Sequence, residues 1–182
     1  MSAGDVQDAL DGVDLAEFRR TCAAFATGVT VITTRHQGAE YGMTANAFTS
    51  VSLTPPLVLV SVQRRARMLG KIEAAGRYAV SILAETMEPV AWHFAGKPPR
   101  DLADPFEEFG GLPVIRGAIA QLVTRVHQTV SAGDHVLFIG QVEKIVRHPG
   151  RPLIFHDGKF GALPSAAGLE GLAEVPDIPG WW

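Results

Sequence analysis

Three stretches of this chain hold residue types that could do chemistry together. The first is Tyr41-Gly42-Met43-Thr44-Ala45-Asn46-Ala47-Phe48-Thr49-Ser50-Val51-Ser52-Leu53-Thr54-Pro55-Pro56. So many small and polar side chains fill a core poorly. They do let a flat ligand approach the backbone, whose N–H groups can bind ring heteroatoms. The same stretch also reads as a small-residue edge strand with a polar turn. The second is Ser61-Val62-Gln63-Arg64-Arg65-Ala66-Arg67-Met68, where an apolar strand delivers the chain to a helix start carrying three arginines. Cations there oppose the helix dipole, whereas a phosphate would meet free N–H groups and guanidinium forks. A solvated basic run is the plainer reading. The third is Ser131-Ala132-Gly133-Asp134-His135-Val136-Leu137-Phe138-Ile139-Gly140-Gln141-Val142. His135 opens an apolar strand directly after a turn, a place at the mouth of a barrel, and Asp134 can orient its ring or cap the turn. Read singly, such a histidine also fits a purely structural place.

Other chemistries lack their residues. There is no Gly-x-Gly-x-x-Gly and no Gly-x-x-x-x-Gly-Lys-Ser/Thr loop for nucleotides. Gly-x-Ser-x-Gly is absent, which weakens a hydrolase reading. His36, His93, His127, His135, His148 and His156 show no metal-ligand spacing on a helix. Any reaction here is expected to rely on a cofactor recognised without those motifs.

The elements that must position these stretches are mostly strands. Asp14 is placed to cap a helix, with Glu17 as its N3 partner and Leu15, Phe18, Cys22 and Phe25 at helical spacing as far as Gly28. Val29–Thr34 is β-branched throughout and predicts a strand. Gln37–Glu40 reads as a hairpin turn, Tyr41–Phe48 as the next strand, Thr49–Ser52 as a small polar connection and Leu57–Val62 as a buried strand. Arg64–Ala75 has Met68, Leu69 and Ile72 on one helical face, and Gly76 ends it. Arg77–Leu83 is a strand and Thr86–Ala95 a short helix with Thr86 as its cap. Residues 96–113 form a Gly/Pro/Asp-rich excursion long enough for a functional loop or flap. Strands follow at Ala118–Val130 and His135–Val146, and a hairpin turns at Asp157-Gly158. Roughly seven short strands interrupted by two or three helices disfavour a doubly wound sheet and favour a closed or partly closed antiparallel barrel, mainly β with peripheral helices.

At 182 residues with 47% apolar and 19% charged residues, the chain has the composition of an ordinary globular protein. The expected division is a flexible tail at 1–13, one domain at 14–163 and a second tail at 164–182 ending in Trp181-Trp182. A net charge of −3 gives no basic field for nucleic acid or an anionic membrane. Cys22 is the single cysteine, which excludes an intrachain disulfide framework. The acidic N-terminus does not read as a signal peptide, and no apolar run is long enough for a spanning helix. A cytoplasmic, soluble protein is expected.

In order along the chain stand Phe25-Ala26-Thr27-Gly28-Val29-Thr30-Val31-Ile32-Thr33-Thr34, Gly42–Ser52 followed by Pro55-Pro56-Leu57-Val58-Leu59, Gly76–Leu83, Gly133-Asp134-His135 and Pro152-Leu153-Ile154-Phe155. Together these resemble the short-chain flavin reductases, the small partner components of two-component flavin monooxygenases. The resemblance spans about Phe18–Leu163. It implies an antiparallel, Greek-key-like split β-barrel that binds FMN or FAD and pairs as a homodimer with its sites near the interface. It implies hydride transfer from NADH or NADPH to flavin, and delivery of reduced flavin to a separate monooxygenase. Carried onto this sequence, Thr44, Ala45, Asn46 and Ala47 would line the isoalloxazine, and Ser50 and Ser52 would continue the flavin strand. Ser61, Gln63, Arg64 and Arg67 would surround the ribityl chain and phosphate. His135 would stand beside the nicotinamide as the catalytic-site residue, with Phe155 and Phe160 at the same mouth. Ala47 and Ala66 depart from the family, which commonly has hydroxyl residues there. Either change would weaken flavin retention, which suits a carrier that releases its product. Two readings of the same barrel stay open: an oxidase or reductase with tightly held FMN acting on another small substrate, and a non-enzymatic flavin- or haem-binding module.

Overall fold

A computed structural model describes residues 12–164. The tails expected at 1–13 and 164–182 lie almost wholly outside the described residues, as do Trp181 and Trp182. In chain order the elements are α1 (Leu15–Ala23), β1 (Thr27–Gly28), β2 (Thr30–His36), β3 (Ala39–Ala45), β4 (Phe48–Leu53), β5 (Pro56–Gln63), α2 (Arg67–Ala75) and β6 (Arg77–Ile82). After a 3₁₀ turn at Glu85–Met87 come α3 (Glu88–Phe94), β7 (Phe106–Phe109), β8 (Leu112–Ile115), β9 (Ala120–Ala132), β10 (His135–Arg147), β11 (Leu153–His156) and β12 (Lys159–Ala162).

Seven strands form one antiparallel sheet in the order β3-β2-β6-β9-β10-β5-β4. It curls around a core in which Ile32, Val60, Val62, Tyr78, Val80 and Phe138 meet Met68 and Ile72 of α2. α2 plugs the sheet's concave side, and Gly76 ends it in the left-handed region at φ 64°. The first five residues of β2 are all buried, because both faces of this strand are covered. Three of them are threonines. Thr30 and Thr34 donate to the carbonyls of Ala45 and Arg77 at 2.6 and 2.8 Å, and Thr33 donates to that of Pro113, so the buried hydroxyls are satisfied.

A second layer lies on the other side. Val29, Val31 and Leu83 pack with Ala91 of α3 and Leu153 of β11. Val114 and Leu112 of β8 cover Ala79 and Val123. The small sheet β1-β11-β12 brings the C-terminal hairpin onto this layer. Both hairpin turns expected from the sequence form with paired left-handed residues: Gln37 and Gly38 at φ 53° and 78°, Asp157 and Gly158 at 48° and 74°.

The structure corrects several expectations. There are twelve strands rather than seven among the described residues. The unexpected ones are β1, β4, β7 and β8; β1, β7 and β8, of two to four residues, are too short to show alternation in the sequence. Residues 96–113 are not a free flap throughout: the second half is the β7–β8 hairpin, and β8 is buried along its whole length. Thr49–Ser52 belongs to β4, whose register against β5 shifts between Ser50 and Ser52. α1 stops at Ala23, short of Gly28. Thr86 lies inside the 3₁₀ turn and caps nothing; α3 begins at Glu88, with Pro89 favouring its first turn. Arg64 and Arg65 precede α2, and only Arg67 lies in it.

Candidate functional site

The chain breaks between β3 and β4 at Asn46-Ala47. Phe48 N–H donates to Asn46 O at 3.0 Å, and Ser61 N–H donates to Ala47 O at 3.2 Å, so the break is pinned against β5. The N–H groups of Asn46 and Ala47 themselves make no backbone hydrogen bond among the described residues. Beside them lies a mainly apolar hollow of about 190 Å³. Thr44, Ala45 and Asn46 form one wall, and Trp92, Phe155 and Phe160 stand around it. The Thr44 hydroxyl is turned to α3, donating to Ala91 O at 2.6 Å. Further hollows of about 280 and 330 Å³ also touch Asn46, on the side of Phe25, Thr27 and Phe48.

The aromatic wall is built by three elements, α3, β11 and β12. Phe155 and Phe160 face each other across the β11–β12 ladder, with ring centroids 5.7 Å apart. Trp92 meets Phe160 edge-on at 5.0 Å, donates from Nε1 to Glu88 at 3.0 Å, and carries the Lys97 ammonium 4.8 Å from its ring centroid. An indole held by three contacts is a rigid wall.

His135 sits at the same end of the sheet. It pairs with Gln63 of β5, two residues beyond Ser61, the residue that holds Ala47. Its Nδ1 lies 2.7 Å from Asp134 Oδ1. The hydrogen bond from His135 holds the exposed Asp134 carboxyl below its usual range. An ionised carboxylate only accepts, so Nδ1 carries the proton of this bond and Nε2 is left for other contacts. Arg64 locks the turn from the other side: its N–H donates to Asp134 O at 2.8 Å and its Nε to Gly133 O at 2.9 Å.

The structure thus brings Thr44, Ala45, Asn46, Phe155 and Phe160 into one hollow and adjoins Ala47 to it. Ser61, Gln63, Arg64 and His135 form a neighbouring row along β5 and the β9–β10 turn. Gln63 accepts from Arg65 at 3.0 Å. Ser50 and Ser52 lie on the edge strand β4, and Ser52 Oγ accepts from Thr54 N–H at 3.2 Å, in the turn to β5. Arg67 stands apart, in a hollow with Tyr41, Gly42, Met68 and Lys71. Sequence reasoning missed Trp92 as a site residue. Its only signal was Glu88 four residues earlier, a spacing that aligns the two on one helix face.

The arrangement offers backbone donors beside an apolar, aromatic-walled slot, with no cluster of metal-ligating side chains among the described residues. This suits a planar heterocycle: the two N–H groups can meet ring heteroatoms while the aromatic wall excludes water. A flavin fits that donor set. Known proteins resemble this chain over the stretch that holds the site. The family model for the flavin reductase like domain matches residues 22–164. An NADH-dependent flavin reductase from Rhodococcus sp is 45% identical over 148 residues, covering 80% of this chain and 84% of the relative. The reductase component of 4-hydroxyphenylacetate 3-monooxygenase from Thermus thermophilus is 42% identical, covering 80% and 95%. The solved structure of flavin reductase PheA2 in its native state superposes with a TM-score of 0.81 at 49% identity, covering 84% of this chain and 99% of that one. With its barrel, its Asn46-Ala47 break and its aromatic hairpin all within the matched stretch, the chain belongs to the flavin reductase like domain family.

Proposed function

We propose that the protein is an NADH-dependent flavin oxidoreductase that reduces FMN or FAD and supplies the reduced flavin to a partner monooxygenase. The observation that carries this reading is the pair of N–H groups at Asn46-Ala47, which make no backbone hydrogen bond among the described residues, beside the slot of Thr44, Ala45, Trp92, Phe155 and Phe160. Bound flavin supplies the hydride acceptor, and no protein nucleophile is required. Asn46 and Ala47 hold the ring through the backbone. Donors aimed at its polar edge favour the charge that reduction places there. Trp92, Phe155 and Phe160 keep water from the ring face. Ser61, Gln63 and Arg64 serve the ribityl chain, and Arg67, apart from them at the start of α2, serves the phosphate. His135, oriented by Asp134, positions the nicotinamide, and a group that positions without proton transfer needs only correct placement. Relatives named as reductase components of monooxygenases support an oxygenase as recipient. We assign the working form as a cytoplasmic homodimer in which residues 14–163 make up the functional domain.

Stopped-flow oxidation of NADH and NADPH in the presence of FMN, FAD and riboflavin tests the proposal. Rapid, flavin-dependent NADH oxidation with release of reduced flavin is expected. Absence of oxidation with every flavin overturns it. Flavin that survives dilution in stoichiometric amount turns it into a prosthetic-group enzyme with another substrate.

A further inference from the structure

Arg67 and Lys71 lie four residues apart on α2, so both side chains leave the same helix face. With Met68 they wall a hollow of about 520 Å³ whose other side is Tyr41 and Gly42 of β3. That volume falls within the roughly 300–1,000 Å³ usual for small-molecule sites. Neither cation pairs with a carboxylate among the described residues. The Lys71 ammonium lies 4.8 Å from the centroid of the Tyr41 ring. Like charges at this spacing repel and weaken the helix, while Met68 and Ile72 do its packing, so the gain the pair shows here is the Lys71–Tyr41 contact. Two cations without a carboxylate partner among the described residues, sharing one hollow with an aromatic ring, match a polyanion joined to a planar base.

We propose that this hollow is a subsite for the adenosine-diphosphate end of a dinucleotide. The proposal rests on the flavin-reductase reading, which supplies two such molecules, FAD and the nicotinamide dinucleotide. The diphosphate would lie against Arg67 and Lys71 and the adenine against Tyr41. Lys71 contributes to dinucleotide affinity only, because FMN ends at a single phosphate.

The test compares wild type with Lys71→Gln, using flavin fluorescence for the Kd of FAD and FMN and calorimetry for that of NAD⁺. Loss of one such contact should raise the affected Kd about tenfold. A rise for FAD with FMN unchanged supports the subsite and names FAD as its source. A rise for NAD⁺ with both flavins unchanged supports it and names the nicotinamide dinucleotide. Lys71→Arg should restore most of the affinity in either case. Unchanged Kd for all three ligands, or equal weakening of FAD and FMN, overturns the subsite alone. Wild-type protein that binds neither flavin overturns the functional reading and the subsite with it. Thermal melting of each variant separates loss of binding from loss of fold.

Discussion

The bond between His135 and Asp134 gives the pair a defined pH behaviour. Because the folded chain holds the Asp134 carboxyl below its usual range, the contact favours the fold at pH above that usual range. It is lost as pH falls through the lowered value. Above that fall, the ring keeps one orientation at the end of β10. His135→Ala should therefore raise the NADH KM or slow single-turnover flavin reduction while flavin Kd stays nearly unchanged. A lowered melting temperature with normal reduction at every NADH concentration would remove His135 from the site. Arg67 makes a different demand, since the proposal gives it a phosphate as partner. Arg67→Ala should weaken FMN by roughly 1.5–3 kcal/mol and leave riboflavin almost unaffected, as measured by fluorescence titration. Equal loss for both flavins would place Arg67 away from the phosphate. The run of small and polar residues over Thr44, Ala45 and Asn46 admitted both a flat-ligand site and a plain edge strand, and the family resemblance chose between them. Trp92 was not legible, since an aromatic on a short amphipathic helix reads as packing until its neighbours are known.

Among the elements, β6 and β10 show how one side chain fixes a strand's composition. Tyr78 of β6 is fully buried and donates its hydroxyl to Phe138 O of β10 at 3.2 Å. A Cβ at Gly140, on the same strand as Phe138, would run into that hydroxyl and into Thr124. Gly140 is thus needed for the close approach of the phenol, a contact that a strand pattern alone does not announce. Burial pushes the Tyr78 phenol up to about 12, against a smaller opposing effect of the Thr124 hydroxyl. The raised value means the folded state keeps a proton that the unfolded chain gives up near pH 10. Stability should be full below that point and fall as pH rises toward 12. In Tyr78→Phe, denaturant melts between these pH values should show a flatter alkaline slope. At neutral pH the variant should lose about 0.5–1.5 kcal/mol, because the phenol's hydrogen bond is gone while Phe138 keeps its place in the β5–β10 ladder. An unchanged slope would show that another group governs the alkaline limb. Strands β2, β5, β9 and β10 were legible for the opposite reason: long β-branched or alternating runs bury whole faces. The buried β8 was hidden because Leu112-Pro113-Val114-Ile115 sits amid glycines, and proline argues against a strand. It is tolerated here because β8 belongs to a two-stranded hairpin.

At the scale of the whole molecule, the open edge of the barrel carries its apolar surface on the outside. α1 buries none of its residues against the rest of the described chain, although it is capped at Asp14 and nine residues long. A helix this short gains its stability from packing, not from propensity. Its apolar residues Leu15 and Phe18 face outward, followed by Phe25, which is 76% exposed. On the edge strand β4, Leu53 is 71% exposed and Val51 also faces outward. Exposed apolar surface beside an unpaired strand edge is what an isologous interface covers. The hollow shared by Cys22, Phe25, Asn46 and Phe48 lies where α1 approaches β4, so a second copy seated there would adjoin the flavin site. Light scattering at micromolar concentration should therefore report a homodimer. The double variant Phe18→Ser with Phe25→Ser should shift it toward monomer while circular dichroism retains the strand signal, since neither side chain contributes to the core. Because the site adjoins the proposed interface, flavin Kd of that variant should rise on dilution in step with dissociation. A wild-type monomer that binds flavin with full affinity at every concentration would show that one barrel completes the site by itself.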